Sequence, residues 1–435
     1  MEKPSFKEAF WFWLKLGFIS FGGPAGQIAI MHDFLVEKKK WISDSRFLHA
    51  LNFTMLLPGP EAQQLATYTG WLIHGKLGGL VAGSFFVLPS MFILMGLSSL
   101  YVTFGSIPWV YALFNGLKPA VLAIVIVALI KIGKKSLHSI FHFLLAAAAF
   151  IGMYFFNIPF PYIIICALII AFIARGVFPQ LFNHIQSSSI NNQEDEEKYF
   201  INSNHMIPES GFKMKRLAIQ IGIAVLLWII PYSLIYSFQP DFQFWNEFIL
   251  FFTKAAFVTF GGAYAVLPYV AQVSVNELQW LTDLQMVDGL ALGETTPGPL
   301  VMVLVFVGFM AGFNHFDSSL LMGGFALTLT TFYTFLPCFL FIFVGAPIIE
   351  RTRENSTIKE ALSLVTAAVV GVILNLTIYL SQAIVFTSEV SLSAIDFPML
   401  IWIGISFLAL YRFKINMISW IGVSALFGLV NFLIS

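Results

Sequence analysis

The sequence predicts an all-α polytopic membrane protein made of two homologous halves of inverted topology, with about 13 hydrophobic segments. Three observations carry that prediction. The first is composition: 58% of the 435 residues are hydrophobic, 11% are charged, and the mean hydropathy is +0.84. A soluble domain carries about 25% charged residues, so water is not the solvent for most of this surface. The second is run length. Apolar stretches at 113–130, 158–173 and 217–235 approach or reach the ~20 residues a helix needs to cross a bilayer. Segments of about ten residues with alternating polarity, the mark of a membrane barrel, are missing. The third is a repeat. Phe18-Ile19-Ser20-Phe21-Gly22-Gly23 returns as Phe257-Val258-Thr259-Phe260-Gly261-Gly262, and Pro58-Gly59-Pro60 returns as Pro297-Gly298-Pro299, both at one offset (261 − 22 = 297 − 58 = 239). Duplicated helix-breaking motifs inside apolar sequence point to two related halves.

In chain order, the apolar segments fall at 8–35, 47–73, 79–103, 110–131, 138–155, 158–175, 217–237, 247–272, 286–312, 318–347, 360–383, 397–411 and 415–434. A polar stretch, 179–215, contains Glu194-Asp195-Glu196-Glu197-Lys198 and reads as a flexible cytoplasmic linker. It separates an N-terminal repeat, 1–178, from a C-terminal repeat, 216–435. Glu8, Lys15, Trp41 and Asp44 recur at the same offset as Glu247, Lys254, Trp280 and Asp283. Leu88-Pro89 recurs as Leu336-Pro337 at offset 248 (337 − 89), so an insertion is expected near 313–319.

Basic residues then orient the halves, because cytoplasmic loops are enriched in Lys and Arg. Lys38-Lys39-Lys40 has no basic counterpart near Asn276-Glu277. Arg351 and Arg353 face an uncharged loop at 104–108, and Lys131, Lys134 and Lys135 face Glu389 and Asp396. Every comparison changes sign, which is the pattern of an inverted repeat. All basic loops reach one side if the first two segments of each half are re-entrant hairpins. An arm of ~12 residues reaches about 18 Å, half the membrane plus its interface. That arrangement has about nine full spans and four hairpins, with the N-terminus inside and the C-terminus outside.

Several function classes drop out. A formal net charge of zero argues against a nucleic-acid partner. Cys166 and Cys338 stand alone in apolar sequence and read as buried, inert thiols. No His/Cys set offers a metal site, no nucleotide loop follows a strand, and no cofactor is expected. No small-residue cleavage site follows the first apolar segment, so no signal peptide is expected. Trp11, Trp13, Trp41 and Trp280 read as interfacial aromatic belts.

Helix breaks at membrane depth are tolerated only where they pack in protein or line a wet cavity. Proline at the start of a half-helix lacks an N–H that would be orphaned there, and glycine lets the backbone turn. The candidate site is therefore Gly22, Gly23, Pro58, Gly59, Pro60, Gly261, Gly262, Pro297, Gly298 and Pro299. Half-helices starting there would aim free N–H groups and positive dipole ends at an anion. Close helix packing is the competing role for these glycines. Lys15 and Lys254, each seven residues before the first glycine of its motif (22 − 15 = 261 − 254 = 7), fit a negative ligand, or else snorkel to the interface. Glu61 and Glu294 break the symmetry, since their counterparts are Leu300 and Met55. Either could carry a coupling proton, and Glu61 could equally cap its half-helix. Gln27, Gln63, Gln64, Thr295 and Thr296 are candidate neutral donors.

At these residues the chain resembles the chromate ion transporter family in its long, two-domain form. The matching motifs are Phe18-x-x-Phe-Gly-Gly23 with Pro24 and Gln27, Leu57-Pro-Gly-Pro-Glu-Ala-Gln63 with Gln64, Phe257-x-x-Phe-Gly-Gly262, and Glu294-Thr-Thr-Pro-Gly-Pro299. The resemblance spans essentially the whole chain. It implies a multi-pass protein of the cytoplasmic membrane that exports chromate, and no enzyme. The expected partners are chromate or a sulfate-like oxyanion and membrane lipid, with a homodimer as a candidate assembly. A carrier of sulfate or another anion, an intramembrane enzyme and a non-transporting scaffold are the alternatives. An enzyme would need a nucleophile, metal set or acid–base pair, and a scaffold would not need matched broken helices.

Overall fold

The computed structural model describes residues 3–55, 57–177, 198–202, 214–239, 241–260, 262–349, 356–386 and 394–434. Among these the regular structure is helical, apart from two isolated bridges, Ile42 with Ile201 and Phe386 with Ile395.

The first half opens with two helical hairpins. Helix α1, Phe6–Ile19, starts at Ser5, whose hydroxyl accepts from Glu8 N, and stops at Ser20. Gly22 (φ +88°) and Gly23 (φ +69°) turn the chain where a side chain would be strained. Helix α2, Gly23–His32, follows and ends in a π-helical turn, Asp33–Lys38. Its end returns to the start of α1, where Lys39 Nζ lies 2.6 Å from Glu8 Oε1. Helix α3, Asp44–Thr54, and the first arm of α4, Glu61–Phe104, make the second hairpin around Pro58-Gly59-Pro60. Helix α4 is not one rod. His74 and Gly75 (φ +66°, ψ −156°) leave helical geometry. The later arm then lies against the earlier one so closely that a Cβ on Gly83 would sit 2.2 Å from Thr67 Oγ1. His74 Nε2 reaches Pro4 O at 2.9 Å, so both hairpins of this half open at one end.

The second half repeats the plan. Helix α8, Met214–Phe238, leads to α9, Phe242–Val258, and α10, Ala263–Ala271, which continues as a π-helical turn, Gln272–Glu277. Helix α11, Asp283–Thr295, carries a capping box between Thr282 and Gln285. After Pro297-Gly298-Pro299, a 3-10 turn, Leu300–Met302, leads into α12, Val303–His315. His315 Nε2 lies 2.6 Å from Asp241 Oδ2, and Asn314 Nδ2 donates to Trp280 O at 2.8 Å, so this half also has one mouth. The expected insertion supplies the turn between α12 and α13, Leu320–Ile349, where the first half turns at His74-Gly75.

The remaining helices are α5, Pro108–Ser136; α6, Ile140–Phe156; α7, Phe160–Val177; α14, Ser356–Val385; α15, Phe397–Phe407; and α16, Met417–Ile434. They cross-pack between halves through small residues. Gly116 of α5 meets Gly428 of α16, and Gly371 of α14 meets the Ala146 carbonyl of α6. Among the described residues, α4, α5, α8, α13, α14 and α16 are long and apolar enough to cross a membrane, and shorter apolar helices accompany them. Helix α8 is almost wholly on the outside of the molecule.

Two local expectations are corrected. Cys166 is exposed on α7, because a lipid-facing helix can leave a weakly polar thiol outward; Cys338 is buried. Trp13, Trp41 and Trp280 are buried, leaving Trp11 exposed. Trp41 and Trp280 fill the hairpin mouths, against Phe12 and Phe34 in one half and Phe244 and Phe251 in the other. Of the expected linker, the described residues 198–202 are docked: Ile201 N donates to Trp41 O at 2.9 Å, Ser43 N donates to Ile201 O at 2.8 Å, and the Ile201 side chain is fully buried. Three consecutive apolar residues in a polar stretch, Tyr199, Phe200 and Ile201, pack on the same core.

Candidate functional site

Where the four hairpins break, the halves hold each other by a reciprocal pair of backbone hydrogen bonds. Gly59 N donates to Thr259 O at 2.7 Å, and Gly298 N donates to Ser20 O at 2.8 Å. These are the same bond made twice, because Gly59 and Gly298 are counterparts, as are Ser20 and Thr259 (298 − 59 = 259 − 20 = 239). Each accepting residue closes its own helix in the same way. Ser20 Oγ donates to Leu16 O at 2.6 Å and Thr259 Oγ1 donates to Ala255 O at 2.5 Å. Those side-chain bonds leave the backbone carbonyls of Ser20 and Thr259 aimed at the other half.

Both bonding glycines need their lack of a side chain. Gly59 (φ +123°) lies under Cys338, and Gly298 (φ +90°) lies under Ser90, so close that a Cβ would approach Cys338 Sγ and Ser90 Cβ to 2.8 Å. Ser90 and Cys338 are themselves counterparts (338 − 90 = 248) and follow the repeated Leu-Pro. Each half's small residue after Leu-Pro thus covers the other half's Pro-Gly-Pro.

The starts of α2 and α12 therefore meet, as do the starts of α4 and α10. Four helix starts come together in two pairs, and a helix start carries a positive dipole end. Gln27 brackets one pair: its Nε2 donates to Ser20 O at 3.1 Å and to Gly298 O at 2.6 Å, which uses both amide hydrogens. Gln64 Nε2 donates to Pro58 O at 2.6 Å and Gln63 Nε2 to Thr67 Oγ1 at 3.1 Å, leaving each with one N–H. All three glutamines are buried.

The two carboxylates live differently. Glu61, half-buried, lies beside Gly262, whose Cβ position is 3.7 Å from Glu61 Oε1. The cation whose charge acts on Glu61 is Lys135 at the end of α5, where Nζ also reaches Met55 Sδ at 4.0 Å. Glu294 is buried and accepts from Tyr264 OH at 2.7 Å within its own half.

Other expected site residues stand apart. Lys15 and Lys254 are exposed on α1 and α9, with no described side-chain partner. Thr295 and Thr296 donate to Leu292 O and Gly293 O, so their hydroxyls close the last turn of α11. Gly261 lies outside the described residues.

The sequence reading passed over one charged pair. Lys118 of α5 and Asp288 of α11 are 3% and 5% exposed, with Lys118 Nζ 3.6 Å from Asp288 Oδ1. Tyr101 OH of α4 donates to Asp288 Oδ2 at 2.9 Å. The available signal was a single lysine inside the apolar run 113–130, since intramembrane charges are rare and used.

The model of the chromate transporter family matches residues 7–172 and 246–429, one stretch in each half. The chain is 30% identical to a chromate transport protein of Pseudomonas aeruginosa, over 98% of this chain and 93% of that protein. It is 27% identical to a chromate transport protein of Cupriavidus metallidurans, over 93% and 87%. It is 25% identical to an uncharacterized transporter of Methanocaldococcus jannaschii, over 98% and 96%. No solved structure matches. With both halves matched and relatives aligned end to end, the chain belongs to the chromate transporter family.

Proposed function

We propose that the protein exports chromate from the cytoplasm across the cytoplasmic membrane, binding the dianion where the half-helix starts of the two repeats meet. The observation that carries this reading is the reciprocal pair of bonds, Gly59 N to Thr259 O and Gly298 N to Ser20 O. These bonds draw the helix starts together, and helix starts suit a tetrahedral anion. The remaining N–H groups of Gln63 and Gln64 would complete the donor set, while Gln27 holds the backbone. The relatives named for chromate transport support the choice of ion.

In this reading each half contributes two re-entrant hairpins, and the mouths face opposite sides of the membrane. The mouth at Glu8, Lys39 and His74 is cytoplasmic, and the mouth at Asp241, Trp280 and His315 is external. The joined pairing of Glu8 with Lys39 and of Asp241 with His315 supports arms that enter and leave on one side. Moving a dianion outward through 100 mV, inside negative, releases about 4.6 kcal/mol at ~2.3 per charge. That sustains roughly a thousandfold gradient at ~1.4 kcal/mol per tenfold.

The test is flux in proteoliposomes of the purified protein under a set potential, with chromate and sulfate as alternative ions. Chromate movement that follows the potential is the expected result. Sulfate movement without chromate would reassign the ion, and movement of neither would end the oxyanion reading.

A further inference from the structure

A cavity of about 250 Å³ lies between α4, α5, α11 and α12, and its walls include Tyr101, Tyr111, Lys118, Gln285, Asp288 and Asn314. It holds the volume of several waters at about 30 Å³ each. Asn314 also lines the 430 Å³ cavity at the mouth of the second half, so the two spaces adjoin. This is a different place from the helix-start junction and shares none of the residues assigned there.

The wall is built for charge. Lys118 and Asp288 are almost fully buried, one from each half. Among the described residues, the ammonium's polar contact is the single oxygen Asp288 Oδ1 at 3.6 Å, longer than a good charge-assisted bond. That oxygen has no hydrogen-bond partner, although Oδ2 accepts from Tyr101 OH. The face of Tyr111 lies 5.5 Å from the ammonium. A buried pair this loosely closed is weakly repaid for its lost hydration. Ionised, Asp288 cancels the lysine. With a proton on Oδ1, the cavity carries one uncompensated positive charge.

The groups facing Asp288 are few. Helix α5 presents Lys118 and Tyr111, and α4 presents Tyr101. On α12, His315 is taken by Asp241, and on α14, Tyr379 donates to Asp283, more than one turn away along α11.

We propose that this cavity is a second oxyanion station, in which the Lys118 ammonium takes a tetrahedral dianion when Asp288 carries a proton. The proton comes from water at the second-half mouth and leaves there with the anion. The station rests on the oxyanion-transport reading but not on the helix-start junction. It makes anion occupancy at Lys118 require one proton, so binding tightens by up to about tenfold for each unit the pH falls.

Sulfate is the probe, because it stays a dianion across the range in which chromate protonates. The thiol introduced by Ser106→Cys at the cavity wall, in a Cys166→Ser background, reports occupancy through its rate of alkylation; Cys338 is buried. Sulfate is expected to slow alkylation, at a concentration that falls with pH. In Asp288→Asn the protecting concentration should lose its pH dependence, and in Lys118→Met/Asp288→Asn, which keeps the cavity neutral, protection should vanish. Protection unchanged in the double variant, or a pH slope retained in Asp288→Asn, would overturn the station. Sulfate and chromate flux by the unaltered protein, measured alongside, tells failure of the station from failure of the transport reading.

Discussion

The two halves share a backbone but not a chemistry. Each breaks at matched Gly and Pro motifs and makes the same interlocking bond, and then the side chains diverge. Around the first-half Pro-Gly-Pro stand Glu61, Gln63 and Gln64, with Lys135 nearby. The corresponding second-half positions are Leu300, Met302 and Val303, all buried, and the carboxylate there, Glu294, is bonded to Tyr264. Symmetry is kept where the backbone must cross between halves, since both bonds depend on one geometry. It is lost at the side chains beside the breaks, where the proposed anion and coupling proton would meet the chain, since a path through a membrane has two unlike ends.

The largest effects should come from breaking the shared part. Gly298→Ala forces a Cβ against Ser90 Cβ and within 3.3 Å of the Phe86 carbonyl, at positive φ. Strain of about 1–2 kcal/mol and overpacking of about 1–3 kcal/mol give a loss of roughly 2–5 kcal/mol. Gly59→Ala should cost less than Gly298→Ala, because it meets the flexible end of Gln64 and the Cys338 side chain, not backbone. Thermal unfolding of the two variants in detergent measures the difference, and equal losses would mean that the cover, not the glycine, sets the cost.

A middle-sized effect should separate the lysines. Lys135→Met removes the cation acting on Glu61, so the concentration of chromate giving half-maximal flux should rise severalfold at low salt, with the effect fading as salt screens it. Lys15→Met and Lys254→Met, at exposed positions, should change it less than about twofold. The reverse order would return the anion-attracting role to the repeated lysines.

The smallest effect distinguishes the mouths. At the second-half mouth, the hydrogen bond from His315 holds the Asp241 carboxyl below the usual carboxylate range, helped by Phe244 N. A depressed carboxyl adds stability that is present above its unfolded value and is lost as pH falls through its folded one. Asp241 is largely exposed, so the contribution should stay below about 1 kcal/mol. At the first-half mouth His74 meets the Pro4 carbonyl, and the carboxylates Glu8 and Asp44 pair with Lys39 and His32. Asp241→Asn should therefore reduce the acid-side slope of unfolding temperature against pH, a change read by unfolding scans down to about pH 3.

Much of this was legible in the chain. Gly and Pro act on their own backbone, so the breaks at Gly22-Gly23, Pro58-Gly59-Pro60 and Pro297-Gly298-Pro299 could be read in place. Apolar run length announced the spans, and one register of matched Lys, Trp, Gly and Pro announced the duplication. Even the turn before Leu320 was visible as an insertion. Lys118 was visible as a lone charge and went unread because nothing nearby in sequence paired it.

What the sequence by itself determined is local: which segments are apolar, where their helices must stop, and that the pattern occurs twice. Only the tertiary structure decided which break faces which. Gln27 meets Gly298 across 271 positions and Tyr101 meets Asp288 across 187. It also turned Lys15 and Lys254 outward, spent the hydroxyls of Thr295 and Thr296 on their own helix, and brought Lys135 to Met55, within electrostatic reach of Glu61. The reason is physical. Helix stops follow from a residue's own backbone, whereas a hydrogen bond between halves depends on the packing of every helix between its partners.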